Sequence, residues 1–223
     1  PNSTDALHAL GQLYERSGNW FQSLEMLQRE ADALGEDPRA VSLLLRIGKI
    51  NEDMLMDIGA AKGAYAHALD IEPTYGPALQ AMKEIARSAE DWDAYAEHLI
   101  TEAETAEDVE EKTELYFEAA KFYQDVRSDE ASATQFYQRA LATSPGHVDS
   151  ARQLAEVYFR GEQWAQAGEL YRLVCEKIDK AKDPKDFCQK SYRLGYISEK
   201  LGERERALEY YRQAFEADAT YLP

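Results

Sequence analysis

The sequence repeats itself at an interval of 72 residues, and this period restricts the fold more than any other feature of the chain. The only three tryptophans, Trp20, Trp92 and Trp164, stand 72 residues apart. Three prolines keep the same interval: Pro1, Pro73 and Pro145. A fixed period of this kind indicates similar structural elements stacked in an array, each burying its apolar face only against its neighbours.

The spacing of apolar residues divides each 72-residue repeat into two helical hairpins. Leu7, Leu10 and Tyr14 follow one another at intervals of three and four, which is the spacing of one helical face. The pattern breaks at Ser17-Gly18-Asn19 and resumes at Trp20. Because Val and Ile are scarce and Ala, Leu and Glu are abundant, the composition favours helices over strands throughout.

The third helix of each repeat has its own start signal. Asp37-Pro38 and Asp183-Pro184 put an N-capping Asp before a Pro suited to the first helical position. In the middle repeat, Asp108 and Glu111 have the spacing of a capping box. We therefore predict an all-α fold of six hairpins and about twelve antiparallel helices, in a single domain over residues 1–223. The expected hairpin limits are about 4–37, 38–75, 76–109, 110–147, 148–183 and 184–221.

The helices of the hairpins share recurring motif residues. First helices carry Leu154-Ala155-x-x-Tyr158 and Leu194-Gly195. Second helices carry Ala61-x3-Tyr65-x2-Ala68, Ala133-x3-Tyr137-x2-Ala140 and, displaced by two residues, Ala207-x3-Tyr211-x2-Ala214. These residues and their spacing resemble the tetratricopeptide repeat (TPR), although Ser23 and Tyr95 stand where its motif has Ala. The resemblance implies an α-solenoid, a superhelix of six hairpins.

The two chain ends resemble junctions between hairpins. Pro1 is equivalent to the closing Pro73, and Tyr221-Leu-Pro223 is similar to Tyr75-Gly-Pro77, which leads into a helix. The alternating hairpin lengths are similar to those of long bacterial-type TPR arrays. We therefore expect a fragment of a longer array that is a monomer or associates weakly with itself through its uncapped ends.

The charge of the chain excludes several classes of partner. Its formal net charge is −17, and no cluster of Lys and Arg of the kind that binds phosphates is present. We expect no nucleic acid as partner, and no anionic membrane surface. No apolar run approaches the ~18 residues of a spanning helix, so direct membrane insertion is not expected. The two cysteines, Cys175 and Cys188, form no disulfide framework, which favours a cytoplasmic location.

No arrangement of residues predicts catalysis. The four histidines form no metal-binding pair or His-Glu-x-x-His motif: His8, His67, His98 and His147. The sequence also lacks a phosphate-binding glycine loop and a Gly-x-Ser-x-Gly motif. We therefore expect no catalytic residues, no metal, no cofactor and no enzyme activity.

The resemblance to TPR proteins implies a binding surface on the first helices of the hairpins, which line a concave groove. The facing pairs would be His8 and Gln12, Leu45 and Lys49, Gln80 and Glu84, Phe117 and Lys121, Arg152 and Glu156, and Tyr192 and Tyr196. From these pairs we select seven partner-binding residues: Leu45, Lys49, Phe117, Lys121, Arg152, Tyr192 and Tyr196. The competing interpretation is that this row packs against neighbouring helices.

Three functions are consistent with the sequence. The first is a protein–protein interaction scaffold that binds a peptide or protein in the groove. The second is a regulatory, effector-sensing domain of a larger enzyme or transcription regulator, and the third is a structural spacer in an assembly. The identical placement of the three tryptophans favours packing at the hairpin bend over ligand contact.

Overall fold

Twelve helices and no strand occupy residues 3–218, the part of the chain that the computed structural model describes. The helices are α1 Thr4–Arg16, α2 Trp20–Leu34, α3 Arg39–Asp53, α4 Ile58–Ile71, α5 Gly76–Ser88, α6 Trp92–Thr105, α7 Val109–Asp125, α8 Glu130–Thr143, α9 Val148–Arg160, α10 Trp164–Lys177, α11 Pro184–Lys200 and α12 Arg204–Ala217. The predicted all-α solenoid is confirmed. The junction residues Pro1 and Tyr221–Pro223 lie outside the described range.

The chain forms two compact units, Pro1–Ala106 with α1 to α6 and Glu107–Pro223 with α7 to α12. Within each unit, every helix packs against the next one along the chain. Each hairpin therefore buries its apolar face between its own two helices and those beside it. The single domain over residues 1–223 stays a prediction.

The start signals of the sequence act as predicted in most helices. Helices α2, α6 and α10 begin at Trp20, Trp92 and Trp164. Asp108 accepts a hydrogen bond from the Glu111 amide at 2.8 Å, and Asp183 accepts one from the Asp186 amide at 3.1 Å. Both carboxylates thus satisfy an amide that has no partner inside the helix.

Helix α3 begins one residue later than Asp37-Pro38 predicts. Its first residue is Arg39, and Pro38 occupies the capping position. Asp37 still caps the helix, because its Oδ1 accepts a hydrogen bond from the Arg39 amide at 2.9 Å. The Arg39 guanidinium also donates to this carboxylate, which lowers the pKa of Asp37 to about 2. The side-chain pair of Asp37 with Arg39 therefore adds to the cap that the dipeptide indicates.

A tyrosine in the second helix ties each even-numbered hairpin together. The Tyr65 hydroxyl donates to Glu52 at 2.8 Å. The equivalent Tyr137 and Tyr211 donate to the last turn of α7 and α11, at 2.7 Å to Gln124 and 3.1 Å to Glu199. These rings fill the space between the two helices, and Tyr65 and Tyr137 are fully buried. The repeated Tyr of the sequence motif is therefore a core residue whose hydroxyl reaches a polar partner.

Each of the six hairpin turns contains one residue with a positive φ between 53° and 78°. These residues are Gly18, Met56, Glu90, Ser128, Glu162 and Gly202. The left-handed conformation is free of strain only for glycine, since a Cβ approaches the following carbonyl. Four turns therefore hold a side chain at the position where the other two have glycine.

Replacing Met56 by glycine is expected to stabilise the first unit by about 1 kcal/mol, because the strain at its φ of 55° is relieved. The Met56 side chain is exposed, so little packing is lost. Urea denaturation followed by circular dichroism measures the change. The matched control is Gly18→Ala, which should destabilise by a similar amount. A Met56→Gly variant less stable than the parent would contradict the role assigned to this backbone position.

Candidate partner-binding surface

The predicted binding residues of the first unit are Leu45 and Lys49, both on α3. Leu45 is half-buried and packs against Tyr65 and its apolar neighbours, so it is partly a core residue. Lys49 is exposed, and within residues 3–218 it forms no hydrogen bond or ion pair. Arg46, one turn before Lys49, pairs with Glu15 of α1 and joins the two first helices. Lys49 is therefore a cationic group on α3 that is available to a partner.

In the second unit, a network of charges joins the first helices α9 and α11. Arg152 of α9 donates to Asp186 of α11 at 2.6 Å. Glu156, one turn further along α9, accepts from Lys190 at 3.0 Å and from Arg193. Because each carboxylate is bonded to a cation on the facing helix, the network fixes the distance and register between α9 and α11.

The inner part of this network is buried. Lys190 is buried on α11, with its Nζ 5.8 Å from the centre of the Tyr171 ring, while Arg193 donates to the Tyr171 hydroxyl. Burial lowers the pKa of Lys190, and the nearby Asp186 opposes that shift. Three cations and two carboxylates meet here. The network itself therefore carries one more positive than negative charge, on a chain whose net charge is −17.

The two predicted tyrosines of α11 lie beside this network and pack against other rings. Tyr192 contacts Tyr211 with a centroid distance of 5.5 Å. Tyr196 contacts Phe159 and Trp164 at 5.7 and 5.8 Å, and Lys200 lies 5.1 Å from the Tyr196 ring centre. Both tyrosines are half-buried. Each ring is thus held in position by the fold while part of it remains exposed to solvent.

Phe117 and Lys121 lie on α7 and make their contacts away from this network. Phe117 packs against Tyr137 at 5.8 Å and against His147 at 5.3 Å. Lys121 forms an ion pair with Asp125 on its own helix at 2.7 Å. Such an exposed pair contributes little to stability, so Lys121 can exchange its partner easily. Phe117, like Leu45, is partly a packing residue of its hairpin.

Sequence reasoning missed Asp186, Lys190 and Arg193, which connect α11 to Arg152 and Glu156. A signal for one of them exists in the alignment of the repeats. Lys190 stands where the first helices of the second and fourth hairpins have the buried Leu43 and Leu115. A charged residue at an apolar position of a repeat indicates a buried, paired group, and that comparison could have identified it.

Residues 3–218 contain no group of three or more His, Cys, Asp or Glu side chains arranged to hold a metal ion. Within the same range, no helix has the length and apolar character needed to cross a membrane. The charged residues of the candidate surface form ion pairs, and its aromatic residues contact other rings. Such an arrangement can recognise a peptide by hydrogen bonds, charge and apolar contact.

Comparison with known proteins agrees with the fold of helical hairpins. Sequence profiles described as tetratricopeptide repeat match residues 6–42 and 191–221. No curated protein sequence matches the chain significantly. Among solved structures, the C-terminal part of a TPR repeat-containing protein from Cytophaga hutchinsonii gives a TM-score of 0.54 at 13% identity, over 99% of this chain and 85% of that one. YrrB, described as a TPR protein with an unusual peptide-binding site, gives 0.50 at 13% identity, over 85% and 92%.

At these identities the structural likeness concerns the fold alone. The two profile matches cover the first hairpin with the start of α3, and most of the last hairpin. The hairpins between them repeat the same pairing of a first helix with a second helix. Residues 6–42 and 191–221 are therefore tetratricopeptide repeats by their sequence, and the other hairpins share that fold.

Proposed function

We propose that this chain is a protein–protein interaction scaffold that binds an extended peptide, or a protein segment, along the first helices of its hairpins. The TPR fold supports a scaffold role, and YrrB offers a precedent for a peptide site on this fold. The seven residues Leu45, Lys49, Phe117, Lys121, Arg152, Tyr192 and Tyr196 are the proposed contacts. The chain acts by binding, without catalysis of its own.

The observation that carries this proposal is the combination of Tyr192 and Tyr196 with the charge network of α9 and α11. Both rings are held by neighbouring rings, and Arg152 is held by Asp186 at 2.6 Å. Groups ordered in this way lose little conformational freedom when a partner binds. Tyrosine and arginine are also the residues that most often anchor interfaces.

The distribution of charge suggests which segments bind. Most of the chain repels acidic partners, because its net charge is −17. The exceptions on the first helices are Lys49, Lys121 and the network around Lys190. We therefore expect a segment that combines apolar or aromatic side chains with one or more acidic residues. The free thiols Cys175 and Cys188 support a cytoplasmic location for this activity.

Charge reversal at Lys49 or Lys121 is expected to weaken binding of such a segment about threefold to fivefold, the effect of losing one exposed charge pair. The ligand is chosen by selecting random peptides on the immobilised chain, and its affinity is measured by fluorescence polarisation. The matched controls are Lys62→Glu on α4 and Lys177→Glu on α10, which make the same change of charge on second helices. Equal losses in the controls, or unchanged affinity in Lys49→Glu and Lys121→Glu, would refute the placement on the first helices.

A further inference from the structure

Three large apolar side chains are exposed at the turn between α3 and α4. Met54 is 50% exposed, Met56 is 76% exposed, and Ile58, the first residue of α4, is 46% exposed. The turn belongs to the second hairpin, whose two helices pack against α2 on one side and α5 on the other. These neighbours leave the turn in contact with solvent. A group of exposed apolar side chains marks a contact site, whereas single ones need no explanation.

The equivalent turns of the second unit are more polar at these positions. The turn between α7 and α8 keeps one apolar residue, Val126, which is followed by Ser128 and Glu130. In the turn between α11 and α12, the same three positions hold Lys200, Gly202 and Arg204. The same kind of hairpin thus forms with polar residues or glycine in this place. The fold therefore does not require three apolar side chains at the α3–α4 turn.

Met56 carries its side chain at a position where a side chain is unfavourable. Its φ is 55°, in the left-handed region that glycine adopts freely, and the equivalent Gly202 is a glycine. The Met56 side chain is also the most exposed of the three, so it adds little packing to the hairpin. Residues held in such sparsely populated conformations cluster where proteins contact ligands and partners. A contact outside the chain therefore explains Met56 better than the stability of the fold does.

The backbone of this turn is fixed by hydrogen bonds. The Met54 amide donates to the Ile50 carbonyl at 3.0 Å, and the Asp57 amide donates to the Asn51 carbonyl at 2.8 Å. Because the backbone is already ordered, a partner that covers the turn immobilises only side chains, which lowers the entropic cost of binding. Methionine side chains are flexible and polarisable, so they adapt to the shape of the group that they contact.

Acidic residues surround this apolar group. Glu52, Asp53 and Asp57 flank it in the sequence, and the Asp53 side chain is exposed. No Lys or Arg occurs between Lys49 and Lys62, whereas the equivalent turns of the second unit each contain at least one. A segment that covers the turn therefore gains favourable charge contacts when it carries Lys or Arg, and is repelled when it carries Asp or Glu.

We propose that the α3–α4 turn, with Met54, Met56 and Ile58 as its contacts, binds a segment of another protein that carries aromatic or aliphatic side chains flanked by Lys or Arg. The methionine sulfurs make favourable contacts with aromatic rings, and the carboxylates around them attract the flanking cations. The net charge of −17 opposes a second copy of this chain as the occupant. This surface is separate from the proposed row on the first helices and takes a segment of opposite charge, so either proposal can fail without the other.

The four methionines of the chain allow a test that reports on the site itself. With carbon-13 in the methionine methyl groups, NMR spectra observe Met54 and Met56 in the turn, and Met26 and Met82, which are buried, serve as internal controls. The probe is a short peptide in which Trp and Leu alternate with Lys and Arg, and the control peptide has Glu in place of each Lys and Arg. We expect the basic peptide to shift the signals of Met54 and Met56 alone, and the acidic peptide to shift none.

Two variants measure the apolar and the charged parts of the contact separately. Met56→Gly should lower the affinity for the basic peptide about fivefold to tenfold, because it removes the most exposed apolar contact. The same change relieves the backbone strain at this position, so a loss of binding does not come from a loss of folding. Its matched control is Ser128→Gly, which relieves the equivalent strain in the second unit and should leave the affinity unchanged. Asp53→Asn should lower the affinity about twofold at about 0.15 M salt and have no effect at about 1 M salt.

Four results would overturn the proposal. The first is a basic peptide that leaves the signals of Met54 and Met56 unshifted at about 1 mM. The second is a Met56→Gly variant that binds this peptide as tightly as the parent chain does. Equal shifts with the acidic peptide would contradict the charge assigned to the partner. Shifts of Met54 and Met56 that grow with the concentration of the chain alone would assign the turn to a second copy of the chain.

Discussion

Replacing Lys83 by alanine is expected to destabilise the first unit by about 3 kcal/mol, because the change leaves Glu102 with a buried and unpaired charge. Lys83 of α5 is 6% exposed and donates to Glu102 of α6 at 2.7 Å. Both side chains lie between the two helices of the third hairpin, away from most of the solvent. Removal of one partner therefore does not expose the other to water.

The chain itself contains the control for this prediction. Under the 72-residue shift, Lys83 and Glu102 correspond to Ala155 and Val174 of the fifth hairpin, which are fully buried. We therefore expect the double variant Lys83→Ala with Glu102→Val to recover most of the stability that Lys83→Ala loses. Replacement of a buried ion pair by packed apolar groups is often neutral or stabilising, whereas breaking the pair is not.

Urea denaturation measures both variants, and hydrogen exchange of the α5 and α6 amides shows whether the loss is local. The predicted pattern is a large loss in the single variant and a small one in the double variant. The contrary result is a double variant that loses as much free energy of unfolding as Lys83→Ala and Glu102→Val lose when their separate effects are added. In that case the ion pair would contribute more than the apolar packing that replaces it, and the equivalence of the two hairpins would be wrong.

Replacing Gly48 by alanine is expected to destabilise the first unit by about 2 kcal/mol, although alanine is the better helix former. A Cβ added at Gly48 would lie 2.1 Å from Cε1 and 2.5 Å from Cδ1 of Tyr65. The Tyr65 ring is fully buried, and its hydroxyl is tied to Glu52 at 2.8 Å. The ring can therefore make room only by giving up packing or this hydrogen bond.

The matched control is Gly63→Ala on α4, where an added Cβ meets nothing within 4 Å. Here only helix propensity acts, and we expect a stabilisation of about 1 kcal/mol. Urea denaturation of the two variants should thus give changes of opposite sign. The fourth hairpin has Ala120 opposite the buried Tyr137, so a shifted ring can accommodate a methyl group. A Gly48→Ala variant as stable as the parent would show that Tyr65 shifts without cost.

Much of the fold could be predicted because its signals are local. The tryptophan that opens each of α2, α6 and α10 and the capping aspartates before α7 and α11 act within a few residues of their own position. Helix periodicity and capping are properties of short segments, so they can be predicted from the sequence without knowledge of tertiary contacts. The displaced start of α3 is the exception, since Asp37 there caps the helix from the residue before Pro38 and also pairs with Arg39.

The candidate binding surface could be predicted only in part. The facing positions led to Arg152, Tyr192 and Tyr196, but not to Lys190 or Arg193, which hold Glu156 from the next hairpin. Those contacts join residues more than 30 positions apart. Whether a charged side chain meets a partner or solvent depends on the distance between two helices, and no local pattern contains that distance.

The sequence alone determined the period, the six hairpins and the resemblance to tetratricopeptide repeats, because all three depend on repeated local patterns. Only the tertiary structure decided which side chains of the predicted row are partly buried, as Leu45 and Phe117 are, and which charges form a network. The physical reason is that burial and ion pairing are set by neighbouring helices, which the chain brings together only when it folds.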